Sequence, residues 1–91
     1  MERVDIEDPR ELGEVIRAVR VHSGLTQVDA AALCGVSTPF LNALEGGKPS
    51  AQLKGILAVC RGLGIRFSLG PPFAVEELQR TPSRKPRASR K

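Results

Sequence analysis

Residues 24–50 read GLTQVDAAALCGVSTPFLNALEGGKPS, and this stretch decides the fold of the chain. Thr26 is a favourable N-cap, because its hydroxyl can accept a hydrogen bond from a backbone N–H in the first turn of a helix. An alanine-rich helix is predicted to follow over residues 27–34. Gly35 ends it, since glycine readily adopts the left-handed conformation that closes a helix. The first half of the stretch therefore predicts one short helix and a tight turn.

The second half of the stretch repeats this pattern of cap, helix and glycine. Ser37 is predicted to cap a helix over residues 38–45, which Gly46 and Gly47 stop. Pro39 is compatible with this helix, because the first turn needs no hydrogen bond from its missing N–H. Two helices joined by a turn of three or four residues that contains glycine form a helix-turn-helix arrangement.

Two more helices are predicted to flank this pair. Asp8 and Pro9 suit the N-cap and the first turn of the first helix, and Ser50 is predicted to cap the fourth. Apolar residues at helical spacing support both helices, namely Leu12, Ile16 and Val19 in the first and Leu53, Ile56, Leu57 and Cys60 in the fourth. Their expected ends are Gly24 for the first and Gly62 or Gly64 for the fourth. The chain is thus predicted to be mainly α.

The hydrophobic period changes after the fourth helix. In IRFSL, residues 65–69, apolar and polar side chains alternate, which is the pattern of a short β-strand. Pro71 and Pro72 prevent its continuation. A lone strand has an unpaired edge, so we expect residues 65–70 to pair with the same strand of a second copy. The side chains assigned to this dimer contact are Ile65, Phe67 and Leu69.

The C-terminal segment changes in composition. Residues 73–80, FAVEELQR, are compatible with two turns of helix, and the following TPSRKPRASRK is rich in proline, serine and basic residues. Such a composition predicts disorder. The expected organisation is an N-terminal arm (1–8), a helix-turn-helix domain (9–64), a dimerisation strand (65–70) and a flexible basic tail (71–91).

The charge of the chain is unevenly distributed. Residues 80–91 carry six basic and no acidic side chains, whereas residues 1–79 carry eight basic and ten acidic ones. Residues 15–70 alone hold six basic and two acidic side chains, so the central body is basic. A basic body with a basic tail is typical of proteins that bind nucleic acid. Aromatic residues make up 3% of the chain, too few to indicate a stacking surface for single strands.

The size and the cysteines restrict the class of protein further. At 91 residues the chain has room for one small domain, and its limited core favours pairing with a second copy. No secretory signal precedes Cys34 and Cys60, so we expect reduced, buried thiols in the cytoplasm. The apolar runs are too short to span a membrane. His22 has no cysteine or carboxylate at ligand spacing, so neither an enzyme nor a metal or cofactor site is expected.

The predicted helix-turn-helix suits double-stranded DNA. Gln27, at the start of the second helix, places its amide and the neighbouring backbone N–H groups where they can meet a phosphate. The third helix, residues 38–45, can then lie in the major groove with its N-terminal side chains at the base edges.

The same residues resemble the Cro/repressor-type (XRE) helix-turn-helix family over residues 9–64. The shared pattern is Thr-Gln, a small residue, Gly-Val-Ser, Leu and then Glu-x-Gly-Lys. The resemblance implies a lambda-repressor-like helical bundle with an ion pair between Arg20 and Glu45. It places Gln27 and Lys48 at phosphates, and Ser37, Thr38, Pro39 and Ala43 at the groove. Asn42 is added as the best hydrogen-bonding side chain of the third helix.

A narrower resemblance is to HipB-type antitoxins. A helix-turn-helix core followed directly by a short alternating strand, LGIRFSLGPP, is similar to that group, and so is the start DPRELGEVIRAVR. The resemblance implies a homodimer tied together by paired strands. It also implies repression of the chain's own operon at a palindromic operator and binding of a HipA-type Ser/Thr kinase toxin.

Departures from the family pattern affect packing and base readout, and two alternative functions stay open. Ala30 and Cys34 stand where the family usually has leucine, so the contact between the second and third helices is expected to be looser or filled by Phe40. Pro39 and Ala43 offer bases only apolar contacts, so specificity is expected to rest partly on DNA shape. The alternatives are a stand-alone repressor without a toxin partner and a protein-binding module with weak DNA readout.

Overall fold

The described part of the chain forms five α-helices. A computed structural model describes residues 2–80, with Leu78 described by its backbone alone. The helices are α1 (Pro9–His22), α2 (Gln27–Cys34), α3 (Thr38–Glu45), α4 (Leu53–Leu63) and α5 (Val75–Arg80). Helices α2 and α3 occupy the predicted residues, and the prediction of a mainly helical chain is confirmed.

Side-chain caps set the starts of the first three helices. The carboxylate of Asp8 accepts from the backbone N–H of Glu11 at 3.1 Å, and the Glu11 carboxylate accepts from that of Asp8 at 3.2 Å, which forms a capping box. The hydroxyls of Thr26 and Ser37 each accept from a backbone N–H three residues later, at 3.1 and 3.0 Å. Gly35, with φ at 73°, turns the chain from α2 into α3.

The start of α4 differs from the prediction. The helix begins at Leu53 with Gln52 as its N-cap, and no side chain caps it. Ser50 lies in the preceding turn, so the prediction that it caps α4 was wrong. Ala51 packs against the core between this turn and the helix. Because an N-cap directly precedes the first helical residue, Ser50 lies two residues too early to cap a helix that begins at Leu53.

The core lies where α2 packs on α4 and α1 packs on α3. The predicted apolar stripes supply most of it. The largest fully buried side chains are Ile16, Leu41, Leu44, Val59 and Cys60. Burying an aliphatic side chain of this size stabilises the fold by roughly 1.5–3 kcal/mol, so these residues are a main source of its stability.

Glycines of α4 close the space that the short side chains of α2 leave. A Cβ on Gly62 would overlap the sulfur of Cys34, and a Cβ on Gly55 would overlap the ring of Phe40. Ala30 is fully buried. The looser contact expected at Ala30 and Cys34 is therefore offset by the close approach of α4, and Phe40 packs against α4.

The chain between α4 and α5 has no regular secondary structure. Residues 2–80 contain no β-strand, so the strand over residues 65–70 and its pairing across a homodimer stay predictions. Ile65 packs against the core, whereas Phe67 and Leu69 are 46% and 86% exposed. The apolar side chains assigned to a dimer contact are thus divided between the core and the surface.

The C-terminal helix is shorter than the segment predicted for it. Helix α5 begins at Val75, two residues inside residues 73–80. The last part of the predicted basic tail, residues 81–91, lies outside the described residues. In the part of the chain that the structure describes, no helix is both long and apolar enough to cross a membrane.

Candidate nucleic-acid interface

An ion pair joins α1 to α3. Nε of Arg20 donates to Oε2 of Glu45 at 2.6 Å, and Nη2 donates to Oε1 at 3.0 Å. Nη1 donates to the carbonyl oxygen of Leu25 at 2.9 Å, in the turn before α2. The side chains of Arg20 and Glu45 are 11% and 4% exposed. Because the guanidinium is planar and bonds at three positions, it fixes α3 relative to both α1 and the start of α2.

Gln27 extends this pair to the surface of α3. Its Nε2 donates to Oε1 of Glu45 at 3.0 Å, and its Oε1 accepts from Nδ2 of Asn42 at 3.1 Å. Gln27 is half-buried, whereas Asn42 is exposed. We call this chain of hydrogen bonds the relay; its members are Arg20, Glu45, Gln27 and Asn42. The relay joins two residues predicted to contact DNA with the two predicted to form an ion pair.

The surroundings of Glu45 keep it ionised at neutral pH. Burial raises the pKa of Glu45, but hydrogen bonds from Arg20 and Gln27 and the charges of Arg20 and Arg17 outweigh it, so the pKa lies below its usual value. The hydrogen bond to Glu45 raises the pKa of Arg20. Glu45 therefore acts as a hydrogen-bond acceptor alone.

The surface of α3 combines one amide with small or apolar side chains. Ser37 and Pro39 are exposed, and Thr38 and Ala43 are half-buried. Asn42 follows Thr38 and Pro39 by one helical turn and lies on the same face. The side chains predicted to face the groove therefore all have some access to solvent, and Asn42 is the one with an amide to offer a base.

The start of α2 and Lys48 are the predicted phosphate contacts. Gln27 is the first residue of α2, where unpaired backbone N–H groups and the helix dipole favour an anion. Lys48 is exposed just after α3, and it lines an open cleft together with Glu7 and Asp8 of the N-terminal arm. Lys48 is not a member of the relay, so the two predicted phosphate contacts are positioned by different parts of the fold.

Two residues of this region were absent from the predicted site. Gly13 is buried, and a Cβ there would stand 2.6 Å from the carbonyl oxygen of Glu45. The signal in the sequence was a glycine inside a helical pattern, which usually has a packing reason. Arg17 adds positive charge near Glu45. No local pattern indicated Arg17, because its effect depends on how α1 packs against α3.

Comparisons with known proteins find a helix-turn-helix in this chain. The family described as "Helix-turn-helix domain" matches residues 11–66. An uncharacterized HTH-type transcriptional regulator of Sinorhizobium fredii, y4mF, is 36% identical over 67 residues, which are 74% of this chain and 88% of that protein.

Two solved structures are similar in fold. A chain of a HipA-HipB-O2-O3 complex has a TM-score of 0.70 and 20% identity, over 78% of this chain and 100% of that chain. A chain of a HipB-O4 20mer complex has a TM-score of 0.69 and 20% identity, over the same shares of both chains. At this identity the two structures establish a common fold.

Proposed function

The chain belongs to the XRE-like helix-turn-helix family of DNA-binding transcriptional regulators, and from this premise we propose that it is a homodimeric, sequence-specific repressor and an antitoxin. In this proposal it acts in the cytoplasm within a type II toxin-antitoxin operon. It binds double-stranded DNA at a palindromic operator and neutralises a HipA-type Ser/Thr kinase toxin. The observation that carries the DNA-binding part is the relay.

The relay supports DNA binding because it holds two helices as one unit. It ties the exposed Asn42 of α3 to Gln27 at the start of α2, so that a groove-reading surface and a phosphate-binding helix end keep a fixed separation. In a dimer the two copies of α3 would lie roughly 34 Å apart, one turn of DNA. The proposed contacts are Gln27 and Lys48 at phosphates, and Ser37, Thr38, Pro39, Asn42 and Ala43 in the major groove.

Titration of DNA from upstream of the chain's own gene tests this part. The dissociation constant, followed by fluorescence anisotropy, is expected to rise severalfold to roughly a thousandfold between about 50 and 200 mM salt. Lys48→Ala should weaken binding to every sequence alike, whereas Arg61→Ala, an exposed change in the last turn of α4, serves as the control. Binding that does not respond to salt would contradict the proposal.

The homodimer part is supported by the exposed Phe67 and Leu69 after α4. In this proposal the same segment of a second copy covers these side chains and removes their apolar area from water. Sedimentation is expected to give a dimer for the unmodified chain and a monomer for Phe67→Asp. A monomeric unmodified chain at micromolar concentration would contradict this part.

The antitoxin part is supported by likeness of fold, since one similar chain comes from a HipA-HipB complex. The test is co-purification with the protein of the neighbouring reading frame, which this proposal expects to be a kinase, followed by an assay of its kinase activity with and without the chain. We expect the chain to bind and inhibit that kinase. A chain that binds operator DNA but neither binds nor inhibits the kinase is a stand-alone repressor.

A protein-binding module with weak DNA readout is the second candidate. Pro39 and Ala43 favour it, because these side chains on α3 have no polar group with which to read a base. In that case Thr38→Ala and Asn42→Ala leave DNA affinity unchanged, and deletion of residues 71–91 abolishes partner binding. A loss of DNA affinity in either point variant excludes this candidate.

A further inference from the structure

The ion pair sets the direction of every hydrogen bond in the relay. Both oxygens of Glu45 accept from Arg20, at 2.6 and 3.0 Å, so the carboxylate has no proton to donate. Gln27 must therefore turn its Nε2 toward Glu45, as it does at 3.0 Å. The amide of Gln27 cannot be reversed without placing its carbonyl oxygen against a carboxylate.

The orientation of the Gln27 amide in turn fixes the orientation of the Asn42 amide. Because Nε2 of Gln27 faces Glu45, Oε1 of Gln27 is the atom that faces Asn42, and it accepts from Nδ2 at 3.1 Å. One of the two N–H groups of Asn42 is occupied in this way. Its Oδ1 and its second N–H take no part in the relay, and the side chain is exposed on α3.

One acceptor and one donor side by side match a particular base. In the major groove, adenine presents an N6 amino donor next to the N7 acceptor, and asparagine pairs with both. A phosphate offers acceptors alone and would leave Oδ1 without a partner. Guanine presents two acceptors at its O6 and N7, which suits Asn42 poorly while its other N–H is held by Gln27.

We infer that Asn42 is the residue that determines base specificity, that it reads an adenine in the major groove, and that Gln27 positions it. This inference rests on the proposed DNA-binding function and deepens it. The neighbouring side chains leave this role open. Pro39 and Ala43 have no polar group, and Ser37 uses its oxygen to cap the helix at 3.0 Å. Thr38 has a single hydroxyl, which cannot pair with two groups of a base edge as an amide does. In this inference the buried ion pair orients the amide of Gln27, and that amide orients Asn42, which determines the base specificity.

The first experiment selects binding sites from random double-stranded DNA and sequences them. The unmodified chain is expected to enrich one position per half-site for adenine. With Asn42→Ala this preference should fall by roughly 5- to 150-fold, while the preferences at the other positions stay unchanged. Gln52→Ala, which alters an exposed amide that makes no capping hydrogen bond, is the matched control and should keep the adenine preference.

The second experiment tests which atom of adenine Asn42 contacts. Replacing the selected adenine by 7-deazaadenine removes the N7 acceptor, and it should cost the unmodified chain roughly 2- to 12-fold in affinity. The same replacement should cost Asn42→Ala nothing. Gln27→Met keeps the length of the side chain but not its hydrogen bonds, and it should lower the adenine preference without moving the preferences at other positions. If Gln27 had a purely structural role, Gln27→Met would lower the base preferences at all positions together.

The outcomes distinguish a failure of adenine recognition by Asn42 from a failure of the proposed DNA-binding function on which it rests. If the unmodified chain enriches no sequence, the proposed sequence-specific repressor and the inference both fall. If the chain enriches a sequence, but Asn42→Ala keeps the same adenine preference, the inference alone is overturned. Circular dichroism of each variant confirms that the comparison is made between folded proteins.

Discussion

At the scale of single residues, the buried pairing of Arg20 with Glu45 gives a direct test of stability. Their side chains are 11% and 4% exposed, so removal of either one leaves a buried charge without its partner. We expect Arg20→Met to lower the free energy of unfolding by about 3–5 kcal/mol, measured by urea denaturation at pH 7. In the double variant Arg20→Met/Glu45→Leu no charge is stranded, and most of that loss should be recovered. Equal losses in the single and double variants would contradict this account.

The lowered pKa of Glu45 also predicts how the free energy of unfolding depends on pH. Its pKa is lowered in the folded chain, so the unfolded chain binds the proton more readily than the folded one. The stabilisation is therefore fully present above the unfolded pKa of about 4.3 and is lost as the pH falls through the lower folded value. Denaturation from pH 7 down to pH 2.5 should show the difference between the unmodified chain and Glu45→Gln shrinking as the pH falls. A difference that stays constant over this range would assign the stabilisation to another group.

At the scale of helices, local signals predicted most of the fold. The starts of α1, α2 and α3 followed from single capping side chains, because a cap depends on residues three positions apart. The start of α4 did not, because its N-cap residue, Gln52, makes no side-chain capping hydrogen bond. The role of Gln27 was likewise only partly predictable, because its partners lie 18 and 15 residues away. Local pattern thus predicts where helices lie, while contacts distant in sequence decide how they meet.

The contact between α3 and α4 gives a test at this scale. A Cβ on Gly55 would overlap the ring of Phe40, so we expect Gly55→Ala to cost roughly 1–3 kcal/mol through overpacking, despite the better helix propensity of alanine. Thermal unfolding measures the loss, and adding Phe40→Leu should reverse part of it. Gly46→Ala is the control, because a Cβ there would meet its nearest atoms at 3.5 Å. A stabilised Gly55→Ala would show that α4 can move away from α3 without cost.

At the scale of the whole molecule, the distribution of charge decides how DNA is approached. The full chain has a net charge of +4, yet residues 1–79, with eight basic and ten acidic side chains, have a net charge of −2. A chain without its last twelve residues would therefore approach DNA with a weakly repulsive overall charge. Attraction would then come from the local field of residues 15–70, which hold six basic and two acidic side chains.

Truncation after Gln79 tests whether the tail is an arm that binds phosphates. Each phosphate contact contributes about 0.9 to the slope of log K against log salt, so a DNA-binding tail predicts that truncation lowers the slope by at least this amount. A full-length variant with the six basic side chains of residues 80–91 replaced by glutamine separates charge from length, and it should behave like the truncated chain. If neither variant changes the slope but both lose the kinase-like partner, the tail binds protein. The basic charge of this molecule would then serve two partners from two separate segments.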